Sequence, residues 1–314
     1  MERLLQLLLL VFGFVLLMKG ADWFVDGASG IAGRLGIPEL VIGLTIVAMG
    51  TSLPEAAVSV AAAAKGSAEI TIGNVVGSNI LNVLIILGIT SLIRAIPVQK
   101  TTVRYEIPFT IGVTVLLVGL GIFDHVITRL DGGILLAFMV LYLLYLFRMA
   151  EKGKEENKSS NQPNEKKTLP LLLFMVVLGG VMIVYGSDVT VDAASAIARK
   201  FGMTERFIGL TIVAFGTSLP ELVTSVTAAI KGKADIAMGN IVGSNIFNIL
   251  FVVSATALIT PVQYAEGFLV DSIVAVLSVL LLLICVLKNH RLGRIGGGLM
   301  LLSYVGYFVY LIRG

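Results

Sequence analysis

Ile42-Gly-Leu-Thr-Ile-Val-Ala-Met-Gly-Thr-Ser-Leu-Pro-Glu55 returns 166 positions later as Ile208-Gly-Leu-Thr-Ile-Val-Ala-Phe-Gly-Thr-Ser-Leu-Pro-Glu221, with Met49 against Phe215 the one difference. At the same offset, Gly73-Asn-Val-Val-Gly-Ser-Asn-Ile-Leu-Asn82 falls on Gly239-Asn-Ile-Val-Gly-Ser-Asn-Ile-Phe-Asn248, and eight of those ten positions agree. Asp22 and Asp26 fall on Asp188 and Asp192, and Lys65-Gly66 on Lys231-Gly232. The chain therefore contains itself twice, in a register that holds over most of each half. Duplication alone could leave two copies with no site between them. It would not explain why the near-identity is concentrated in the most polar parts of the apolar runs.

Around these motifs the chain is apolar. Its 314 residues are 57% hydrophobic and 14% charged, with a mean hydropathy of +0.97. That is too little polar surface for a soluble globule, so the expectation is an all-α polytopic membrane protein. Apolar runs at about 4–18, 39–64, 70–93, 106–123 and 131–149 precede one hydrophilic stretch, and runs at about 169–187, 205–230, 236–260, 267–287 and 295–312 follow it. Each is near the roughly 20 residues a membrane helix requires. The first run resembles the apolar region of a signal peptide, but its counterpart at 170–186 marks it as part of the architecture. Ten transmembrane helices are expected, as a first five-helix repeat over 1–150, a linker over 151–168 and a second five-helix repeat over 169–314. The linker holds five Lys and four Glu and reads as a solvated segment. Five spans per half is an odd number, so the second half enters the bilayer upside down relative to the first. Two inverted repeats place a site near the midplane where they meet. Sixteen of the 23 Lys and Arg fall on the linker's side of the membrane and seven on the other. The bias puts the linker in the cytoplasm and both termini outside, in a multi-pass protein of the cell membrane.

Several function classes drop out. The net charge of +3 gives no basic surface for nucleic acid. One cysteine, Cys285, excludes an intrachain disulfide framework, and two histidines with no CxxC give neither a zinc nor a haem site. No resident cofactor is expected.

Glu55 and Glu221 each lie midway through an apolar run, where an ionised carboxylate costs about 2.5 kcal/mol or more. A single such residue could snorkel or stay protonated; two at matching positions in the same polar cluster point to function. Pro54 and Pro220 precede them and should break the helices, freeing carbonyls around Ala48, Gly50 and Thr51 and around Ala214, Gly216 and Thr217. A proline kink for packing alone is the plainer alternative. Thr51, Ser52 and Ser59 share the patch with Glu55, and Thr217, Ser218 and Ser225 share it with Glu221. Asn74, Ser78 and Asn82, and Asn240, Ser244 and Asn248, are spaced by four and line one face of a helix each. Those stripes suit either interhelical hydrogen bonding or ion contact, and the glycines at 73, 77, 239 and 243 suit close helix packing. Carboxylates, hydroxyls, amides and carbonyls without thiol or imidazole form a donor set for Ca2+ or Na+. Two carboxylates can neutralise one Ca2+, and the same oxygens could hold Na+ instead; mutually exclusive occupancy is the physical basis of antiport.

At these motifs the sequence closely resembles the calcium:cation antiporter superfamily, in particular its prokaryotic sodium/calcium exchanger branch. Both GTSLPE-like and GNxxGSNxxN-like segments occur twice, in order, and the resemblance covers essentially the whole chain. It implies exchange of Na+ for Ca2+ by alternating access, with both ions as substrates and no enzymatic activity. Carried over by position, Glu55 and Glu221 would coordinate Ca2+, with the carbonyls of Thr51 and Thr217 completing its shell. Ser52, Ser78, Ser218 and Ser244, with the carbonyls of Ala48 and Ala214, would be the flanking Na+ ligands. Asn82 and Asn248 would face the two glutamates. The first and sixth helices would slide across the rest. Some family members carry Asp where this chain has Asn248, so one titratable group is missing here. Asp22, Asp26, Asp188 and Asp192 read as interfacial or helix-capping residues. A Ca2+/H+ exchanger is the alternative within transport and a cation channel the alternative outside it. An intramembrane hydrolase lacks any matching nucleophile or metal-ligand motif. A monomer is expected, because the two halves complete each other.

Overall fold

The computed structural model describes residues 2–68, 70–158, 167–202 and 214–313. The first half holds α1 (Glu2–Leu35), α2 (Glu39–Thr51), α3 (Leu53–Ala64), α4 (Ile70–Ile93), α5 (Thr102–Asp124) and α6 (Arg129–Lys158). The second holds α7 (Leu169–Lys200), one turn at Ala214–Gly216, α8 (Leu219–Ile230), α9 (Ala234–Ile259), α10 (Phe268–Leu287) and α11 (Arg294–Arg313). Among the described residues eight helices are long and apolar enough to cross a membrane, and α2 with α3 forms a ninth candidate bent by 47°. The expected span at 205–230 falls largely outside the described residues, which contain only its later part, Leu219–Ile230.

Backbone details repeat with the sequence. Ser52 (φ −85°, ψ 7°) and Ser218 (φ −91°, ψ 2°) interrupt their helices immediately before Leu-Pro-Glu. The proline ring excludes the preceding turn, so the helix stops and restarts, as the sequence predicts. Asn82–Leu87 and Asn248–Val253 are both wound as wider π-helical turns. Gly36 and Gly202 take the left-handed conformation beyond the ends of α1 and α7, with φ of 68° and 79°.

Two short antiparallel ribbons join the halves. β1 (Ile96–Pro97) pairs with β4 (Arg291–Leu292), and β2 (Val126–Ile127) pairs with β3 (Val262–Gln263). Left-handed His125 and His290, with φ of 53° and 46°, precede β2 and β4 and turn the chain into them. Equivalent positions are 166 apart from β1 to β3 and 165 apart from β2 to β4. Each ribbon is therefore the counterpart of the other.

α4 and α9 are central, with 72% and 83% of their apolar windows buried inside the protein, whereas α11 lies at the periphery with 11%. Around them Ile80, Leu84, Ile241 and Leu250 pack in one core with Ile107, Leu117 and Leu282. α1 and α7 run antiparallel along a seam of glycines spaced by seven. A Cβ on Gly20 would stand 2.8 Å from the Gly179 carbonyl, and one on Gly186 would stand 3.0 Å from that of Gly13. Small residues let the two backbones touch.

Three expectations about extent need correction. α1 does not stop near Met18 but continues to Leu35. Asp22 and Asp26 consequently lie inside a helix and cap nothing; Lys231 Nζ pairs with them at 3.1 and 2.8 Å. The hydrophilic segment begins as helix, since α6 runs to Lys158, and its residues 159–166 lie outside the described set.

Candidate functional site

The break at Ser52 sets a helix C-terminus against a helix N-terminus. The carbonyls that end α2 carry partial negative charge, and the open N–H groups that begin α3 carry partial positive charge. Glu55 sits in the first turn of α3 and Glu221 in the first turn of α8. The restarted helices thus hold the two carboxylates at their positive ends, in the interior, with each residue 1% exposed.

Hydrogen bonds tie this centre across the halves. Ser52 Oγ donates to Glu221 Oε1 at 3.0 Å, and the Ser78 hydroxyl lies beside the Glu55 carboxylate. Thr51 Oγ1 donates to Asn240 Oδ1 at 3.0 Å, while Ser244 Oγ donates to the Ala48 carbonyl at 3.3 Å. That carbonyl also accepts from Ser52 N at 3.1 Å and shares the one Thr51 hydroxyl proton with Asn240 Oδ1, from 3.3 Å, so it is already engaged. Asn74 Nδ2 reaches Ser59 Oγ at 3.0 Å and the Glu55 carbonyl at 3.1 Å. Asn240 Nδ2 makes the matching bonds to Ser225 Oγ at 2.9 Å and the Glu221 carbonyl at 3.4 Å. Each asparagine thereby clamps the first turn that carries its glutamate.

Below the glutamates stands a reciprocal asparagine lock. Asn79 Nδ2 donates to the Asn245 carbonyl and Asn245 Nδ2 to the Asn79 carbonyl, both at 3.2 Å. Asn82 Nδ2 donates to Asn245 Oδ1 at 2.9 Å, and Asn248 Nδ2 to Asn79 Oδ1 at 3.1 Å. Asn79 and Asn245 are site-building residues that a reading by steps of four passes over. Their signal was available in the sequence, because they occur identically in both copies of the motif.

Of the expected site residues, Ser52, Glu55, Ser78, Asn82, Glu221, Ser244 and Asn248, with the Thr51 side chain and the Ala48 carbonyl, lie in this one buried network. Ser218 is buried at the second break. Thr217 is half-buried beside it, and Ala214 opens the preceding turn, so these two are placed by the short segment that follows residues 203–213.

The decisive feature is a set of oxygens. Glu55 Oε2, Glu221 Oε2, Asn82 Oδ1, Asn248 Oδ1 and Ser218 Oγ are all buried and take no hydrogen bond from any described residue. Carboxylate and amide oxygens only accept, and four of the five come as matching pairs from the two halves. Buried acceptors without protein donors call for a bound cation or water, and two carboxylates among them favour the cation. Among the described residues no group of three or more His, Cys, Asp or Glu is placed to hold a metal ion; the donors gathered here are oxygens, two of them from carboxylates. Hard cations fit it, since Ca2+ takes about 6–8 oxygens of mixed type.

Comparison with known proteins agrees with this chemistry. The family described as sodium/calcium exchanger protein matches twice, over residues 5–148 and again over 171–313. A putative antiporter, CaxA of Alkalimonas amylolytica, is 39% identical over 312 residues, covering 97% of this chain and 98% of its own. The sodium/calcium exchanger MaX1 of Methanosarcina acetivorans is 33% identical over 342 residues, covering 97% of each chain. Among solved structures, the sodium-calcium exchanger NCX_Mj soaked with Na+ superposes with a TM-score of 0.84 at 32% identity, over 98% of this chain and 99% of that one.

Proposed function

We propose, on the premise that the chain belongs to the sodium/calcium exchanger protein family and is a membrane Na+/Ca2+ antiporter, that exchange runs through the buried cluster around Glu55 and Glu221. The observation that carries this reading is the set of paired, donor-less oxygens Glu55 Oε2, Glu221 Oε2, Asn82 Oδ1 and Asn248 Oδ1. Ca2+ is held by the two glutamates with the carbonyls of Thr51 and Thr217. Na+ takes positions flanked by Ser52, Ser78, Ser218 and Ser244 and the carbonyls of Ala48 and Ala214, the Ala48 carbonyl giving up its hydroxyl bonds to Ser244 and Thr51 when the ion binds.

Two buried carboxylates explain why exchange is obligatory. Ionised and without cations they are costly in a low-dielectric interior, so the unloaded site resists being sealed from water on both sides. One Ca2+ cancels both charges, and Na+ ions can do the same, so either load permits the change of access. Simultaneous occupancy would overcharge the cluster, which makes the ions exclusive. The serine hydroxyls, neutral hard donors beside the carboxylates, favour Na+ as the counter-ion over protons alone.

The architecture we infer is ten spans in two inverted five-helix repeats. It is supported by breaks, π-helical turns, left-handed glycines and ribbons that all recur at offsets of 166 or 165. α1 and α7 meet through a tightly packed glycine seam, which suits them to move as one unit and carry the change of access. The linker is cytoplasmic and the termini outside, by the Lys and Arg bias. A single chain forms the whole site, so the working unit is a monomer.

Radioactive Ca2+ uptake into proteoliposomes tests the site. An outward Na+ gradient should drive uptake, and an outward H+ gradient alone should not. Glu55→Gln and Glu221→Gln should each cut the rate by 100-fold or more. Uptake that persisted in both variants would sink the assignment, and uptake independent of any gradient would indicate a channel.

A further inference from the structure

Away from the ion site, a cleft of about 860 Å³ opens between the ends of α4, α10 and α11. Three arginines line it: Arg94 beyond the end of α4, Arg291 in β4 and Arg294 at the start of α11. No aspartate or glutamate lines it, and among the described residues none of the three arginines makes an ion pair. Two are held in place by neutral partners. Arg94 Nη1 donates to the Ile230 carbonyl at 2.5 Å, and Arg294 Nε to the Leu92 carbonyl at 3.2 Å. Arg291 has no side-chain partner among the described residues. The cleft continues onto an apolar, outward-facing wall of Ile284, Ile295 and Leu299, exposed to 69%, 84% and 48%.

The repeat supplies an internal control. Arg294 corresponds to Arg129, which likewise donates to a carbonyl at the end of a central helix, Nη2 to the Ile259 carbonyl at 3.2 Å. Arg94 corresponds to Thr260, and Arg291 to Val126. The scaffold of ribbon and carbonyl-bound arginine is thus present on both membrane faces, but the arginine cluster is on one. The fold therefore does not require it. The cluster lies on the face where α6 ends, because α4 and α6 end two crossings apart. General enrichment of positive charge on one face would scatter arginines; here three converge on one concavity whose wall faces lipid.

We propose that this cleft binds an anionic phospholipid, with the headgroup phosphate on Arg94, Arg291 and Arg294 and an acyl chain along Ile284, Ile295 and Leu299. Guanidinium groups fit phosphate oxygens in a planar, two-bond geometry. A basic recess between membrane helices is the chemistry that selects anionic headgroups from the bilayer. The apolar wall distinguishes a lipid from free phosphate, which would gain nothing from Ile295 or Leu299.

Native mass spectrometry of the purified full-length protein, with phosphatidylglycerol or phosphatidylcholine added, tests this directly. Wild type should retain phosphatidylglycerol at least tenfold over phosphatidylcholine. Arg291→Gln should erase most of that preference, since its guanidinium holds no backbone group and its loss leaves the scaffold intact. Arg129→Gln, on the opposite face, should keep it. Na+-driven Ca2+ uptake by each variant reports folding independently. Equal retention of the two lipids by wild type, unchanged preference in Arg291→Gln, or displacement of the lipid by equimolar glycerol 3-phosphate would overturn the proposal. A measurement without any variant guards against misfolding: phosphatidylglycerol should raise the thermal midpoint of wild type above that in phosphatidylcholine, and equal midpoints would count against the site.

Discussion

α4 and α9 carry nearly the same polar face, yet they stand in different surroundings. A Cβ on Gly243 would lie 2.7 Å from Ala48 Cβ and 2.9 Å from Leu44 Cα, and one on Gly239 would lie 3.0 Å from the backbone of Gly43. At the matching positions, Gly77 meets nothing within contact distance among the described residues, and Gly73 meets only the Phe268 ring, at 3.3 Å. Asn240 is fully buried, whereas Asn74 is half-buried. The segment that would stand to α4 as α2 stands to α9 falls largely on residues 203–213, outside the described set. Among the described residues the two faces are unequally covered, Gly73, Asn74 and Gly77 being half-buried where Gly239, Asn240 and Gly243 are buried. A carrier whose two halves exchange roles would cover each face in turn.

The asparagine lock is where the two halves do behave alike, so it offers the largest effect. Asn79→Ala removes the bond to the Asn245 carbonyl and strips Asn248 Nδ2 of its acceptor; Asn245→Ala does the same to the Asn79 carbonyl and Asn82. Leaving buried groups unpaired costs about 3 kcal/mol in each case, given about 0.6–1.7 kcal/mol per interhelical bond in membranes and more for an orphaned donor. Thermal unfolding in detergent should show both midpoints lowered to a similar degree. Strongly unequal drops would mean that the halves differ at their shared centre as well.

Glycine substitution probes the difference itself. Gly243→Ala forces a methyl against Ala48 and Leu44 and should destabilise the protein by about 1–3 kcal/mol. Gly77→Ala should leave thermal stability close to that of wild type, since nothing described crowds it. If the two faces exchange roles during transport, Gly77→Ala must obstruct the opposite pose, so Na+-driven Ca2+ uptake should slow while the midpoint holds. Normal uptake by Gly77→Ala would break the idea that α4 ever packs as α9 does.

Much of this was legible in the sequence because the signals are local. Pro54 and Pro220 dictate breaks through one missing N–H and one ring, and the breaks lie where the motif places them. Asn74, Ser78 and Asn82 read as one stripe because steps of four keep to one helix face. Asn79 escaped that reading, since it is one residue, about 100° of rotation, from Ser78. The π-helical turn that begins at Asn82 also widens the winding in a way no spacing rule anticipates. Length was misjudged where charge entered an apolar run. Lys19, Asp22 and Asp26 end the apolar run, but α1 continues past them, and both aspartates are answered by Lys231, more than 200 residues away in sequence. The start of the expected linker is helical to Lys158, and at Gly153 α6 passes tightly against Pro38. Both misreadings concern contacts between distant segments, which composition cannot display.

That same lysine separates the halves by the smallest margin. Lys231 Nζ reaches Asp22 and Asp26, and also the Asp22 carbonyl at 2.9 Å. Its counterpart Lys65 is exposed and, among the described residues, makes no ion pair with Asp188 or Asp192, the counterparts of Asp22 and Asp26. The lysine side chain in the formed pair is 25% exposed and the aspartates are more so, so water and salt screen it, and the contribution is about 1 kcal/mol at most. Lys231→Gln should lower the thermal midpoint slightly in dilute buffer and have no effect in concentrated salt, while Lys65→Gln should have none in either. In transport the order should change, because a carrier that alternates spends part of each cycle with the other pair formed. Both substitutions should then shift the exchange rate by similar, modest factors. A rate altered by Lys231→Gln alone would make the ion pair a fixed brace of α1 and leave Lys65 without a part in the cycle.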